Sequence, residues 1–318
     1  MSGDKTWITI EGGDGPGRGK HIVFMSGDEE YRSEEGLPML AQVMARHHGF
    51  KCTVLFAIDP QTGLVSPNVQ TNIPGMYNIG TADMVVMLVR FRQLPDADMK
   101  HFVDYMLAGK PILALRTSTH AFRYSPESKS RYAKYSCESK EYPGGFGRQV
   151  LGEKWVDHHG HHAHEATCGV PNAQMKGHPI LTGVGRIWCP TDVYEAHPPD
   201  DVQVLVDGHV LTGMNPDDPE KPGTAMMPVA WIRQPNAEKG TGRIFCSTMG
   251  AAVDLLDVSL RRLLVNGIYW CMGLEKDISS ARSVDPVGAY QPSFYGFKTE
   301  STGKPPAAFL LQEGAPVP

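Results

Sequence analysis

Between Trp155 and Glu165 the chain reads Trp-Val-Asp-His-His-Gly-His-His-Ala-His-Glu, which places five of its thirteen histidines in seven positions. Neutral imidazole is the commonest metal ligand, and its pKa lies close to neutrality. The run therefore points to a metal site, a proton-handling site or a polyol pocket, with a solvated loop as the plain alternative. Gly160 interrupts it, so helical spacing does not organise it. In extended backbone alternate residues share a face. That pairs His159 with His161 and leaves His158 and His162 close by in a bent loop. Two or three imidazoles with a carboxylate such as Glu30, Asp157 or Glu165 would suit zinc or another divalent metal. The metal expectation is conditional and rests on His159 and His161; no other cofactor is expected.

Three further polar clusters each follow an apolar run. Asp28-Glu29-Glu30-Tyr31-Arg32 comes after His21–Met25, Arg90-Phe91-Arg92 after Met84–Val89, and Arg116-Thr-Ser-Thr-His120 after Pro111–Leu115. If those runs are parallel strands, the clusters converge where open α/β sheets bind ligands, outside the strands' carboxyl ends. The expected catalytic residues are Glu30, His120, His159 and His161. Asp28, Tyr31, Arg90, Arg116, Trp155, His158 and His162 are expected to bind the ligand, the charged groups through paired hydrogen bonds and the aromatics by packing. An acidic first turn disfavours phosphate and favours a neutral polyol or a cation.

The elements that would position these groups alternate. Strands are expected at His21–Met25, Cys52–Phe56, Met84–Val89 and Pro111–Leu115, with helices at about 33–48 and 96–108 between them. Ser33 serves as an expected N-cap, and Gly49 and Gly109 as stops. Continuous apolar strands between amphipathic helices predict an α/β fold with a parallel sheet covered on both faces. Further strands are expected at Val202–Val206, Met227–Arg233 and Arg243–Ser247, the last two joined through a turn at 238–242. A final helix is expected near 259–272. Residues 1–20 read as an N-terminal extension, 21–273 as one domain with an irregular insertion at 121–150, and 274–318 as an extended arm. The arm would pack on the core or on a second copy of the chain.

Composition excludes several classes. Apolar residues make up 41% and charged residues 20%, ordinary for a globular chain, and the net charge of −5 disfavours nucleic acid. Apolar runs are too short to span a bilayer. The first twenty residues hold no apolar leader core, which gives a cytoplasmic expectation, or a periplasmic one if a leader has been removed. The six cysteines are scattered and form no zinc ribbon or disulfide framework.

Pro228-Val-Ala-Trp-Ile-Arg233, Gly242-Arg-Ile-Phe245, Met249-Gly250, the stretch Arg261–Trp270, and the strand Gly109–Leu115 together resemble the signature of ThuA-like, trehalose-utilisation proteins. The likeness runs from about His21 to Gly273. It implies a flavodoxin-like, class I glutamine-amidotransferase-like three-layer sandwich with a mostly parallel sheet. It also implies sugar catabolism acting on oxidised (3-keto) glycosides or disaccharides by acid/base chemistry, or else a non-catalytic sugar-binding or assembly module. Two positions depart from the pattern: Arg116 and Ala251 stand where many members carry histidine. Glutaminase chemistry is not expected, because the turn after the fourth strand lacks a cysteine nucleophile; Ser118 is a weak substitute.

Overall fold

The computed structural model of the chain describes residues 6–236 and 241–314. In chain order its main elements are β1 (Trp7–Ile10), β2 (His21–Gly27), α1 (Ser33–His48), β3 (Lys51–Phe56), β4 (Met84–Val89), α2 (Asp96–Leu107) and β5 (Ile112–Leu115). There follow β6 (Thr167–Pro171), β7 (Ile187–Cys189), β8 (Val202–Val210), β9 (Met227–Arg233), β10 (Ile244–Ser247) and α3 (Val258–Cys271). All ten strands join one sheet in the order β1-β3-β2-β4-β5-β10-β9-β8-β6-β7.

The five central strands, β3, β2, β4, β5 and β10, run parallel. Every residue of β2, β4, β5 and β10 is buried, as expected of strands covered on both faces. α1 and α3 pack on one face around Phe24, Val54, Leu113 and Phe245. On the other face α2 packs over Met25, Val85, Met87 and Ala114. The 121–150 insertion joins that second layer: Tyr124, Tyr132, Tyr135 and Phe146 are buried beside Phe102. This is an α/β sandwich, but the sheet is parallel only in its central part. From β10 outward the pairs β10·β9, β9·β8, β8·β6 and β6·β7 are antiparallel, as is the β1·β3 edge.

Several expectations need correction. Trp7–Ile10, read as part of an extension, adds an edge strand to β3. Ser33 does not cap α1. Arg32 holds the cap position in a left-handed conformation (φ 58°), and the Ser33 hydroxyl instead accepts from the Asp28 N–H at 3.0 Å. Gly49 does stop the helix, at φ 79° with its N–H on the Met44 carbonyl, a conformation that suits glycine. β9 and β10 are antiparallel neighbours, but most of the turn expected at 238–242 lies outside the described residues. All six cysteines are unpaired. Among the described residues no helix is long and apolar enough to cross a membrane. The C-terminal arm lies on its own chain's core, with Tyr290 and Tyr295 buried.

Candidate active site

The carboxyl ends of β2, β4 and β5 deliver the three polar clusters to one rim. There a cavity of about 180 Å³ is lined by Glu30, Arg90, Phe91, His120, Trp155, His158, His162, Tyr194 and Phe297. At roughly 30 Å³ per water it holds about six waters. Larger hollows occur elsewhere, among them one of about 420 Å³ between Glu11–His21 and Gly49–Lys51. That one lies at the amino ends of β2 and β3, away from the convergent polar groups.

Not every group of the rim faces the cavity. The Asp28 carboxylate turns inward, accepting from the Glu30 and Tyr31 N–H groups and the Thr117 hydroxyl. Glu29 is paired with Arg90 and Arg92. Glu30 is left to face the cavity, its Oε1 3.3 Å from His162 Nε2 and its Oε2 3.7 Å from Arg90 Nε. Burial, and then Asp28, push its carboxyl above the ordinary value. Arg90 lies over Phe91 and Phe297, 4.5 and 5.0 Å from the ring centroids. Its Nε has no hydrogen-bond partner among the described residues.

Arg116 and Tyr31 stand behind the cavity wall. Arg116 occupies the sharp turn after β5 at φ 43° and is almost fully buried between the rings of Tyr31 and Tyr194. Its guanidinium donates to the carbonyls of Asp192 and Thr248, both at 2.7 Å, to Asp192 Oδ1 at 2.8 Å and to the Tyr31 hydroxyl at 3.2 Å. The Ser118 hydroxyl donates to the Met87 carbonyl and accepts from the Val89 N–H, so it is a structural hydroxyl. His120 is buried between Phe91 and Trp155, with ring centroids 4.9 and 5.7 Å away. Burial, then the nearby Arg90 and Arg116 charges, hold its imidazole neutral, well below the usual pKa.

The histidine run divides against the expected alternation. His159 and Gly160 N–H groups both bond to the Val193 carbonyl, and the Glu195 N–H bonds to the Asp157 carbonyl. This stitching bends the loop around Gly160 and places His158 and His162, rather than His159 and His161, at the cavity. His159 Nε2 lies 2.8 Å from the Ala225 carbonyl, and His161 stacks on His164 at 4.5 Å. The pair expected to serve as catalytic groups and metal ligands is therefore turned away from the site. Asp157 bonds the His158 N–H and Glu165 pairs with Lys221, so neither carboxylate reaches the cavity.

The residue that organises the two inward histidines is Asp192, which carried no signal in the sequence. Its Oδ2 lies 2.6 Å from His158 Nδ1 and its Oδ1 3.0 Å from His162 Nδ1. Burial would raise its pKa, but Arg116 and the two histidine bonds outweigh that and hold it below the usual carboxylate range. Tyr194 and Phe297 were also missed as wall residues. An extended arm was visible in the sequence, but not its return across the exit of β2. There Arg32 donates to the Gly296 carbonyl at 2.9 Å and the Gly296 N–H to the Glu30 carbonyl at 2.9 Å.

The ThuA family model, described as trehalose utilisation, matches residues 22–271. A ThuA-like protein from Bacteroides uniformis has a similar structure, with TM-score 0.50 and 13% identity, over 81% of this chain and 94% of that one. A second ThuA-like protein, from Parabacteroides merdae, gives TM-score 0.51 and 12% identity over 80% and 90%. At such identities the likeness is one of fold. Among curated proteins none matches the sequence.

Proposed function

This chain belongs to the ThuA family of trehalose-utilisation proteins, and we propose that its rim cavity takes one ring of an oxidised (3-keto) glycoside and eliminates the aglycone by acid/base chemistry. One observation carries the reading. Four aromatic side chains, Phe91, Trp155, Tyr194 and Phe297, wall a space of about 180 Å³ into which Glu30, Arg90, His120, His158 and His162 converge. Apolar ring faces with a few directed polar groups are what a sugar ring needs. The volume suits a single ring, which leaves the aglycone toward solvent.

Glu30 is the proposed proton carrier. Its raised pKa makes it a stronger base than an ordinary carboxylate while leaving it able to give the proton back. The carboxylate takes the proton from the carbon α to the ketone, and the electron pair moves onto the ketone oxygen. Arg90, on the cavity wall beside Glu30, receives the developing oxyanion through its guanidinium. Re-forming the ketone breaks the bond from the β carbon to the aglycone oxygen, which takes back the same proton. The products are an unsaturated keto sugar and the free aglycone, and no oxidant is consumed. His120, held neutral, supplies a hydrogen-bonding wall rather than a charge.

The test uses a 3-keto glycoside with a chromogenic aglycone and the purified chain. Release is expected, with a loss of about 10²–10⁴-fold in Glu30→Gln. Release that Glu30→Gln leaves intact would refute the assignment. Binding without release would make the cavity a sugar-binding module instead.

A further inference from the structure

The geometry points to a divalent-cation site formed by His158, His162 and Asp192 on the wall of this cavity, with zinc as the ion it fits best. One ligand atom from each of the three residues lies within 4.8 Å of the others. The two Nδ1 atoms are 2.6 and 3.0 Å from the Asp192 oxygens. Two ligands bound to one ion at about 2.0–2.1 Å and a tetrahedral angle stand roughly 3.3 Å apart. The two contacts with Asp192 need less than about 1 Å to reach that spacing, and the widest separation among the three ligand atoms, within 4.8 Å, closes by up to about 1.5 Å through side-chain rotation.

The surroundings supply a second, independent observation. A metal-bound histidine usually gives its other ring N–H to a carboxylate, which fixes tautomer and orientation. His162 is placed for this: Nδ1 bonds Asp192 Oδ1 at 3.0 Å, and Nε2 stands at ion-pair distance, 3.3 Å, from Glu30 Oε1. Asp192 is anchored in turn by Arg116, which bonds both its carboxylate and its carbonyl. The site is also accessible. Asp192 is fully buried, whereas the His158 and His162 side chains are 34% and 31% exposed. Two imidazoles and a carboxylate leave one tetrahedral position free, as in catalytic rather than structural zinc sites. His158 and His162 line the same cavity as Glu30 and Arg90, where a bound cation would polarise a carbonyl oxygen.

Cation binding is read without any sugar, so this inference and the proposed elimination fail separately. The experiment uses the full chain, free of tag and stripped by chelator, titrated with Zn²⁺ by calorimetry and with Co²⁺ by visible absorption. One equivalent is expected, with the intense absorption of tetrahedral cobalt. His158→Ala and His162→Ala should each weaken binding at least 100-fold, and Glu30→Gln about 10–100-fold as an outer partner. Asp192→Asn is the riskier variant, because it strips Arg116 of its partner, so the two histidine variants decide the outcome. The double variant His159→Ala/His161→Ala should bind as the parent does. Absence of a one-to-one site overturns the proposal. So does binding that falls in the His159/His161 variant and survives in the other two, which would mark an adventitious histidine-rich loop.

Discussion

Glu34 makes the seating of the C-terminal arm depend on pH. Its side chain is fully buried on the first turn of α1, where Oε1 accepts from the Ser301 N–H at 3.1 Å and Oε2 has no partner among the described residues. Burial, with a smaller contribution from Glu35, pushes the carboxyl from 4.5 up to about 8. With the arm seated Glu34 is therefore protonated at pH 7, and with the arm lifted it is ionised. A raised acid pKa contributes stability that is full below the free-chain value and is lost as pH rises through the folded one. At about 1.4 kcal/mol per unit, the interval from 4.5 to about 8 corresponds to about 5 kcal/mol for full exposure of the group, which is the upper bound for lifting the arm alone. Across that window the arm-opening equilibrium should rise roughly tenfold per pH unit. Glu34→Gln keeps the acceptor for Ser301 and has no proton to lose. Hydrogen exchange over residues 293–301, corrected for intrinsic rates between pH 6 and 8, should show the rise in the parent and a flat response in the variant. Equal slopes in the two proteins would refute the reasoning.

Arg116→Met leaves Asp192 buried without its cation and should cost about 3–5 kcal/mol in chemical denaturation. Arg116→Lys should not restore it, because one ammonium cannot reproduce four bonds to two carbonyls, a carboxylate and a phenol. Phe297→Ala removes an arm residue from the cavity wall and should weaken sugar binding about 2–10-fold by calorimetry, from the roughly 0.5–1.5 kcal/mol of an aromatic contact. Gly147→Ala would set a methyl carbon 1.9 Å from the Thr119 carbonyl oxygen. It must displace the turn that carries His120, so exchange protection over residues 116–120 should fall along with the melting temperature.

The parallel half of the fold was legible because its signals are local. Uninterrupted apolar runs gave β2 to β5, and apolar periodicity with a following glycine gave α1 and α2 to within a residue. β6 and β7 were not read, because three to five residues such as Ile187–Cys189 carry no usable period and are held by partners distant in sequence. Glu30, Arg90 and His120 could be placed at the cavity because each follows a parallel strand directly. The histidines could not be sorted by period two, since the loop is bent by backbone bonds to residues 193–195 that no spacing within the loop reveals. Asp192 was missed for the same reason: its place is set by the long-range contact with Arg116.

The clasp between Arg32 and Gly296 joins residues 264 positions apart. A contact of that span closes nearly the whole chain into one loop, and such closures come late because their entropy must be met before they are rewarded. During synthesis the sheet and its helices can assemble while the segment around Phe297 has yet to leave the ribosome. The cavity is then three-sided, open above Glu30 and Arg90. The Phe297 wall arrives last, so a chain with an intact core would pass through a state in which the cavity lacks that wall.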